Sequence, residues 1–333
     1  MKNSKKYLID HHDRRLNYLR ISITDRCNLR CLYCIPREGI AKLRHDDILT
    51  YEEIFRLARI AISLGVNKIR LTGGEPLLRK GIYEFLPRLT ALSGLKDVSL
   101  TTNGLFLKDN LEKIKSSGIK RINISLDTLN RQRYEKITGY DGFQDVWGAI
   151  ELARELNFQP IKINVVLIKG LNDNEILDFA KLSKHYPYHI RFIEYMPLGI
   201  TTPNAPLQFV SNDLLKEHFR RLGQLVPVSR AEYDGPVERF KFEGASGEIG
   251  FISPLTHHFC PSCNRLRLTA AGNIRPCLLS DQEVDLKGPM RSGASDDELA
   301  QVFLMAAHNK PYAHHLTSED SIPFSGQMSS IGG

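Results

Sequence analysis

The sequence predicts an α/β chain: a partial, TIM-like (β/α)6 barrel over residues 1–230 and a small C-terminal α+β domain over residues 231–333 that carries an auxiliary metal site. Three observations predict it. From Leu19 to Met196, short β-branched runs alternate with stretches whose apolar residues recur at i, i+3 and i+4. That alternation builds a parallel sheet with right-handed crossovers. The units number six, too few to close an eight-stranded barrel. After Met196 the pattern gives way to a proline-rich loop, short strands and a hairpin signal.

Strands are expected at Leu19–Thr24, Lys68–Thr72, Val98–Thr101, Arg121–Leu126, Ile161–Ile168 and His189–Tyr195. The clearest helix opens at Thr50, which forms a capping box with Glu53. Its apolar face is Ile54, Leu57, Ala58 and Leu64, and Gly65 stops it. Asn172 or Asp173 opens another, with Ile176, Phe179 and Ala180 inward. Residues 197–210 hold three prolines and read as a loop, after which Ser211 caps a short helix to Phe219. Strands follow at Arg239–Phe242 and Glu248–Ile252, then a hairpin turning at Ala271, Gly272 and Asn273. Ser295 and Glu298 make a second capping box, opening a helix that ends near His308. The stretch Ser318–Gly333 is polar and reads as mobile.

Lys and Arg outnumber Asp and Glu by 45 to 38, and the net charge of +7 suits an anionic partner such as a nucleotide, nucleic acid or phosphate. The N-terminal stretch lacks the apolar core of a signal peptide. The longest apolar run, around Ile163–Ile168, is too short to span a bilayer. A cytoplasmic protein with reduced thiols is expected.

The six cysteines fall into two triplets. Cys27, Cys31 and Cys34 form C-x3-C-x2-C directly after the first strand. Cys260 and Cys263 form C-x2-C, and Cys277 returns on the far arm of the hairpin. A four-iron cluster normally takes four thiolates, so three leave one iron open to a non-protein ligand. Zinc is the alternative for the second triplet, because three cysteines and a histidine make a common closed site and His257 and His258 stand close by. The first triplet has no histidine within a few residues.

C-x3-C-x2-C followed by a barrel resembles the radical S-adenosylmethionine (SAM) superfamily, and Tyr33 before Cys34 strengthens the likeness. The segment Gly73-Gly74-Glu75-Pro76 looks like the superfamily's glycine-rich stretch facing the methionine amino group. From about residue 12 to the C-terminus, LRISITDRCNLRCLYC, IRLTGGEPLLR, TTNG, SLDTL, RFIEYM, FCPSCNRLRLTAAGNIRPCL and the Gly332-Gly333 end resemble the GTP 3′,8-cyclase family of molybdenum-cofactor biosynthesis, a lyase family.

The resemblance implies two 4Fe–4S clusters, SAM as cofactor and GTP as substrate. Reductive cleavage of SAM at the first cluster gives a 5′-deoxyadenosyl radical. The radical takes hydrogen from C3′ of GTP, and C3′ then bonds to C8 to give 3′,8-cyclo-7,8-dihydro-GTP. The second cluster is expected to hold the guanine. Tyr33, Gly74, Ser125 and Met196 match SAM-contacting positions, and Arg20, Arg70, Thr101, Lys162, Arg265, Leu266 and Arg267 match GTP positions. Lys68, two residues from Arg70 and so on the same face of its strand, and Arg191 on the sixth strand add charge. Unless a triphosphate meets them, these cations need carboxylates, for which Glu75, Asp127 and Glu194 are the candidates. Gly332 and Gly333 match a tail thought to enter the active site and serve catalysis. The family also suggests a homodimer, an electron donor such as flavodoxin or ferredoxin, and transfer of the product to cyclic pyranopterin monophosphate synthase.

Two rivals are weaker. A radical SAM peptide-modifying enzyme usually carries more C-terminal cysteines. A zinc-organised nucleic-acid-binding protein needs a basic face with interleaved aromatics, whereas Arg and Lys here spread along barrel strands. Neither a nucleic acid nor a membrane is an expected partner. The segment after Met196 and the pair His257-His258 depart from the family pattern.

Overall fold

A computed structural model describes residues 7–196, 209–229, 235–314 and 328–332. Six parallel strands form its centre: β1 (Tyr18–Ser22), β2 (Lys68–Thr72), β3 (Asp97–Thr102), β4 (Ile122–Ser125), β5 (Ile161–Leu167) and β6 (Tyr188–Glu194). Helices α1 (Tyr51–Ser63), α2 (Ile82–Thr90), α3 (Leu111–Ser116), α4 (Arg131–Thr138), α5 (Phe143–Glu155) and α6 (Ile176–His185) connect them. The expected strands are all present, with no end displaced by more than two residues.

Local chemistry accounts for the best-placed helices. Thr50 accepts from the Glu53 N–H while Glu53 accepts from the Thr50 N–H. Ile54, Leu57 and Ala58 are fully buried, and each large aliphatic side chain so buried contributes about 1.5–3 kcal/mol. Ser295 and Glu298 repeat the capping box at the start of α9 (Asp296–His308), which follows the short α8 (Lys287–Arg291). Ser211 caps α7 (Asn212–Phe219) as expected.

The C-terminal strands join the same sheet. β7 (Leu225–Pro227), β8 (Glu238–Phe242) and β9 (Glu248–Ile252) extend one edge, with β9 parallel to β6. β10 (Arg265–Leu268), β11 (Asn273–Arg275) and β12 (Val284–Asp285) extend the other, with β10 parallel to β1. Among the described residues the order is β12-β11-β10-β1-β2-β3-β4-β5-β6-β9-β8-β7. The order is linear, so the barrel is partial and open.

The two-residue strand period divides its faces. Leu19, Ile21, Ile69, Leu71, Leu266 and Leu268 lie in the core between sheet and helices. Their alternate neighbours Tyr18, Arg20, Arg70, Arg265 and Arg267 line a cavity on the opposite, lumen face.

The tail departs from expectation. Met328–Ile331 forms a short helix, α10, with Ser329 and Ile331 buried, and the Ala270 N–H donates to the Ser330 carbonyl at 3.2 Å. Apolar burial of Ile331 and this backbone bond hold a stretch that composition alone reads as mobile. Residues 197–208 of the proline-rich loop, residues 318–327 of the tail and Gly333 lie outside the described residues. Among the described residues, no helix is long and apolar enough to cross a membrane.

Candidate active site

The loop after β1 carries the first thiol triplet at the C-terminal rim of the barrel, where such folds gather their chemistry. All six cysteines are free thiols. Burial pushes the Cys31 and Cys34 thiols up, Cys34 to about 12, and the neighbouring thiols of the triplet add to the shift. Cys27 acts on both of the others and Cys34 on Cys31, so the three thiols stand near one another in a set whose protons a cation can replace. Asn103, from the TTNG motif, points its amide at Cys27 Sγ (3.9 Å) and donates to Asn28 Oδ1 (2.8 Å). No histidine faces this set in any described contact, so the donors suit iron and sulfide.

The glycine-rich segment seats that loop. The Gly74 N–H donates to Thr24 O and the Glu75 N–H to Arg26 O, both at 2.8 Å. A Cβ on Gly74 would stand 2.3 Å from the Arg26 carbonyl oxygen. The close approach that demands a glycine is therefore to the cysteine loop itself. Glu75 is buried and accepts from Leu77 N, Thr102 Oγ1 and Asn103 N. Burial outweighs these bonds and lifts its pKa to about 7.

Tyr33 OH donates to Asp127 Oδ2 at 2.6 Å, and Val166 N–H donates to Oδ1 at 2.8 Å. Burial raises Asp127 to about 6 against those two bonds. Ser125 ends β4, and Met196 follows β6 and packs against Leu255 and Leu279. All four expected SAM-contacting residues thus lie at C-terminal strand ends or on the rim loop.

The second triplet lies at the lumen face. Cys260 opens a short 3-10 turn, Cys263 follows it, and Cys277 comes just after β11. One cavity is lined by all three and by Arg20, Arg70, Arg191, Arg265 and Arg267. Register explains the arginines: Arg20 lies beside Arg70 on β2 and beside Arg267 on β10. Burial depresses the guanidinium pKa of Arg20 to about 10 and that of Arg267 well below its usual value, with neighbouring arginines adding to it. Cations so placed gain from an anion.

Glu75, Asp127 and Glu194, the alternative to a triphosphate as counter-ions, are engaged elsewhere among the described residues. Glu194 spends its oxygens on Asn212 N, Leu255 N, Thr256 N and Thr256 Oγ1, and the other two are committed as described. Lys68 instead stands 3.9 Å from Asp97, with its Nζ 4.4 Å from the Tyr18 ring centroid. Arg70 Nε donates to Ser99 Oγ. Lys162 and Arg191 are buried on β5 and β6. Thr101 Oγ1 is buried with no hydrogen-bond partner among the described residues. Leu266 is the exception among the expected GTP residues. Strand alternation turns its side chain into the hydrophobic core, so only its backbone is available to a nucleotide. Gly332 reaches this site, its carbonyl accepting from Arg267 Nη1 at 2.5 Å.

Sequence reasoning missed several residues here. Tyr18 is buried among cations, and although burial raises its pKa, the charges of Arg70, Arg20, Lys68 and Arg265 outweigh it and bring the phenol to about 7. Lys310 donates to the carbonyls of Arg265 (2.9 Å) and Pro276 (2.6 Å) beside the second triplet. Arg14 donates to the Cys260 carbonyl at 2.6 Å and is held by Asp10. For Cys263, burial works upward, but Arg265 and Lys310 win and lower the thiol to about 6. Tyr18 was legible from its alternation with Arg20. Lys310 and Arg14 carry no local signal.

Residues 21–183 match the family model of the radical SAM superfamily, and residues 188–316 match the model described as Molybdenum Cofactor Synthesis C. The chain is 48% identical to a GTP 3′,8-cyclase of Moorella thermoacetica over 97% of its length and 99% of the relative's. It is likewise 48% identical to a GTP 3′,8-cyclase of Thermodesulfovibrio yellowstonii, over 97% and 99%. Among solved structures it resembles Streptococcus suis SuiB, with a TM-score of 0.56 and 16% identity over 90% of this chain and 68% of that one, a likeness of fold. A thiol triplet at the strand ends, a second triplet among buried arginines, and near-complete alignment with these relatives lead to one conclusion: the chain belongs to the GTP 3′,8-cyclase family of the radical SAM superfamily.

Proposed function

We propose that this chain converts GTP to 3′,8-cyclo-7,8-dihydro-GTP, the first step of molybdenum-cofactor biosynthesis. One observation carries the reading: a single cavity is lined by Cys260, Cys263 and Cys277 and by five arginines, all buried but the half-buried Arg265. A purine held at one end and a triphosphate at the other fit that pairing of chemistries.

Cys27, Cys31 and Cys34 would hold a 4Fe–4S cluster, with SAM against Tyr33, Gly74, Ser125 and Met196. When bound there, the cluster supplies the electron that cleaves SAM to methionine and a 5′-deoxyadenosyl radical. Cys260, Cys263 and Cys277 would hold a second cluster facing guanine. Arg20, Arg70, Lys162, Arg191, Arg265 and Arg267 orient the triphosphate, with Lys68 and Thr101 supporting them and Leu266 contributing main chain. GTP loses a hydrogen atom from C3′, closes the C3′–C8 bond, and takes one electron and one proton to complete the dihydro ring. Gly332 closes the site behind the substrate, and Gly332 and Gly333 serve catalysis.

Residues 1–230 would form the SAM-cleaving part and residues 231–333 the guanine-holding part, a division supported by the location of each triplet. A low-potential donor such as flavodoxin or ferredoxin, a homodimeric assembly, a cytoplasmic setting and delivery of product to cyclic pyranopterin monophosphate synthase complete the reading. The test is anaerobic incubation of reconstituted protein with SAM, GTP and dithionite. Formation of 5′-deoxyadenosine in step with a cyclised guanosine triphosphate is expected; 5′-deoxyadenosine with unchanged GTP overturns the reading.

A further inference from the structure

The second thiol triplet has neighbours that a three-cysteine cluster does not require. His258 stands at the surface, while His314 and Cys260 are buried behind it. One ligand atom from each of the three lies within 4.8 Å of the others. The two imidazole rings are in contact, with centroids 4.2 Å apart and planes tilted by 33°.

We propose that His258, Cys260 and His314 form a mononuclear site for a borderline-soft divalent cation, with zinc as the favoured occupant, which competes with the iron–sulfur cluster for Cys260. Spacing supports one ion. Zinc binds sulfur at about 2.3 Å and imidazole nitrogen at about 2.0–2.1 Å in a tetrahedron, which sets its ligands less than about 4 Å apart. Small rotations of the His258 and His314 rings close the observed gap. A four-iron cluster distributes its cysteines one to an iron and has no place for two imidazoles crowded against a single sulfur.

His258 Nε2 lies 3.0 Å from the Leu255 carbonyl, a contact that an N–H makes and that leaves Nδ1 with its lone pair. Metal-binding histidines are commonly oriented by such a carbonyl. Three protein ligands leave the fourth tetrahedral position open to solvent. Access is also built in. His258 lines an outer cavity with His257, Phe259 and Ser262, whereas His314 and Cys260 line the inner one. A cation can therefore arrive from the outer side, where the described basic residues, Lys216 and Arg239, are paired with Glu238 and Glu248.

The consequence is exclusive occupancy. An ion that takes Cys260 leaves two thiolates, too few for the cluster. The proposal rests on donor geometry and not on the cyclase reading, and its test needs no turnover.

The full chain with Cys27→Ser, Cys31→Ser and Cys34→Ser, freed of iron, is titrated anaerobically with Co2+ and then Zn2+. The expected result is one cobalt per chain with tetrahedral visible bands and charge-transfer intensity of a single thiolate, displaced by zinc. His258→Gln and His314→Gln should each weaken zinc at least about ten-fold, as lost coordination does; His257→Gln should not. Parental affinity in both histidine variants, with the intensity of three thiolates, would place the ion on the cysteines alone and overturn the proposal. In a second arm, iron and sulfide are loaded with and without added zinc. The histidine variants should load as the parent does and resist zinc. If they lose iron and sulfide without zinc, the histidines serve the cluster and the proposal fails. Absence of iron and sulfide from the unsubstituted chain would instead sink the cyclase reading.

Discussion

Arg267 Nη1 donates to the carbonyl oxygen of Gly332 at 2.5 Å, joining the end of the chain to an arginine inside the barrel. Gly332 adopts φ +77°, and a Cβ there would stand 2.2 Å from Thr72 Oγ1. Left-handed backbone costs a residue with a side chain about 1–2 kcal/mol before that collision is counted. Gly332→Ala should therefore displace the tail while leaving iron and sulfide content unchanged. Cyclised product should fall at least ten-fold relative to 5′-deoxyadenosine, and removal of Gly332 and Gly333 together should abolish it. Equal loss of both products would show that the tail acts on SAM cleavage instead.

The three arginines abreast on β10, β1 and β2 give a second prediction. Arg267→Met and Arg20→Met each remove a buried cation from the proposed triphosphate site. Truncating one partner of a buried charge pair costs about 2–5 kcal/mol, or 30-fold and more in affinity. GTP binding by calorimetry should weaken by that factor, while SAM binding stays within two-fold. Unchanged GTP affinity would leave these arginines a purely structural role.

Tyr18 supplies a pH dependence. Its phenol sits at about 7 when folded and near 10 when unfolded. Between those values the folded chain has released a proton that the unfolded chain still holds, so stability rises with pH through this window. The contribution is complete above about 10 and is lost as pH falls through about 7. Denaturant unfolding at pH 6.5, 8 and 9.5 should show the rise in the parent and a flatter profile in Tyr18→Phe. Because GTP would neutralise the cations that depress Tyr18, nucleotide binding at pH 8 should also take up a proton, measurable as buffer-dependent binding heat.

Gly74 tests how the first thiol triplet is seated. Gly74→Ala drives a Cβ into the Arg26 carbonyl, and backbone cannot rotate away as a side chain can. The loop carrying Cys27 must shift. Iron and sulfide at the first site should be lost while the second site still loads, seen as partial iron content with no SAM cleavage. Full loading with intact cleavage would show that the loop tolerates the shift.

Elements with a local cause were legible in the sequence. The capping boxes Thr50/Glu53 and Ser295/Glu298 are bonds between residues three apart, so a short window contains both partners. Strands Lys68–Thr72 and Glu248–Ile252 match their expected bounds because turn residues flank each β-branched run. The partners of the carboxylates were illegible for the opposite reason. Glu75, Asp127 and Glu194 look like counter-ions by charge alone, yet their partners are backbone and hydroxyl groups brought in from other elements.

The amino-acid order by itself determined the β–α alternation, the two thiol triplets and the cationic strands, because each is a matter of spacing along one segment. Only the tertiary structure decided that β10 lies beside β1 and β9 beside β6, which carries Cys260, Cys263 and Cys277 into the company of Arg20 and Arg70. It also placed Lys310, Arg14 and Gly332 at that site. Pairing between distant strands depends on which buried faces fit together across the whole sheet, and no stretch of neighbouring residues holds that information.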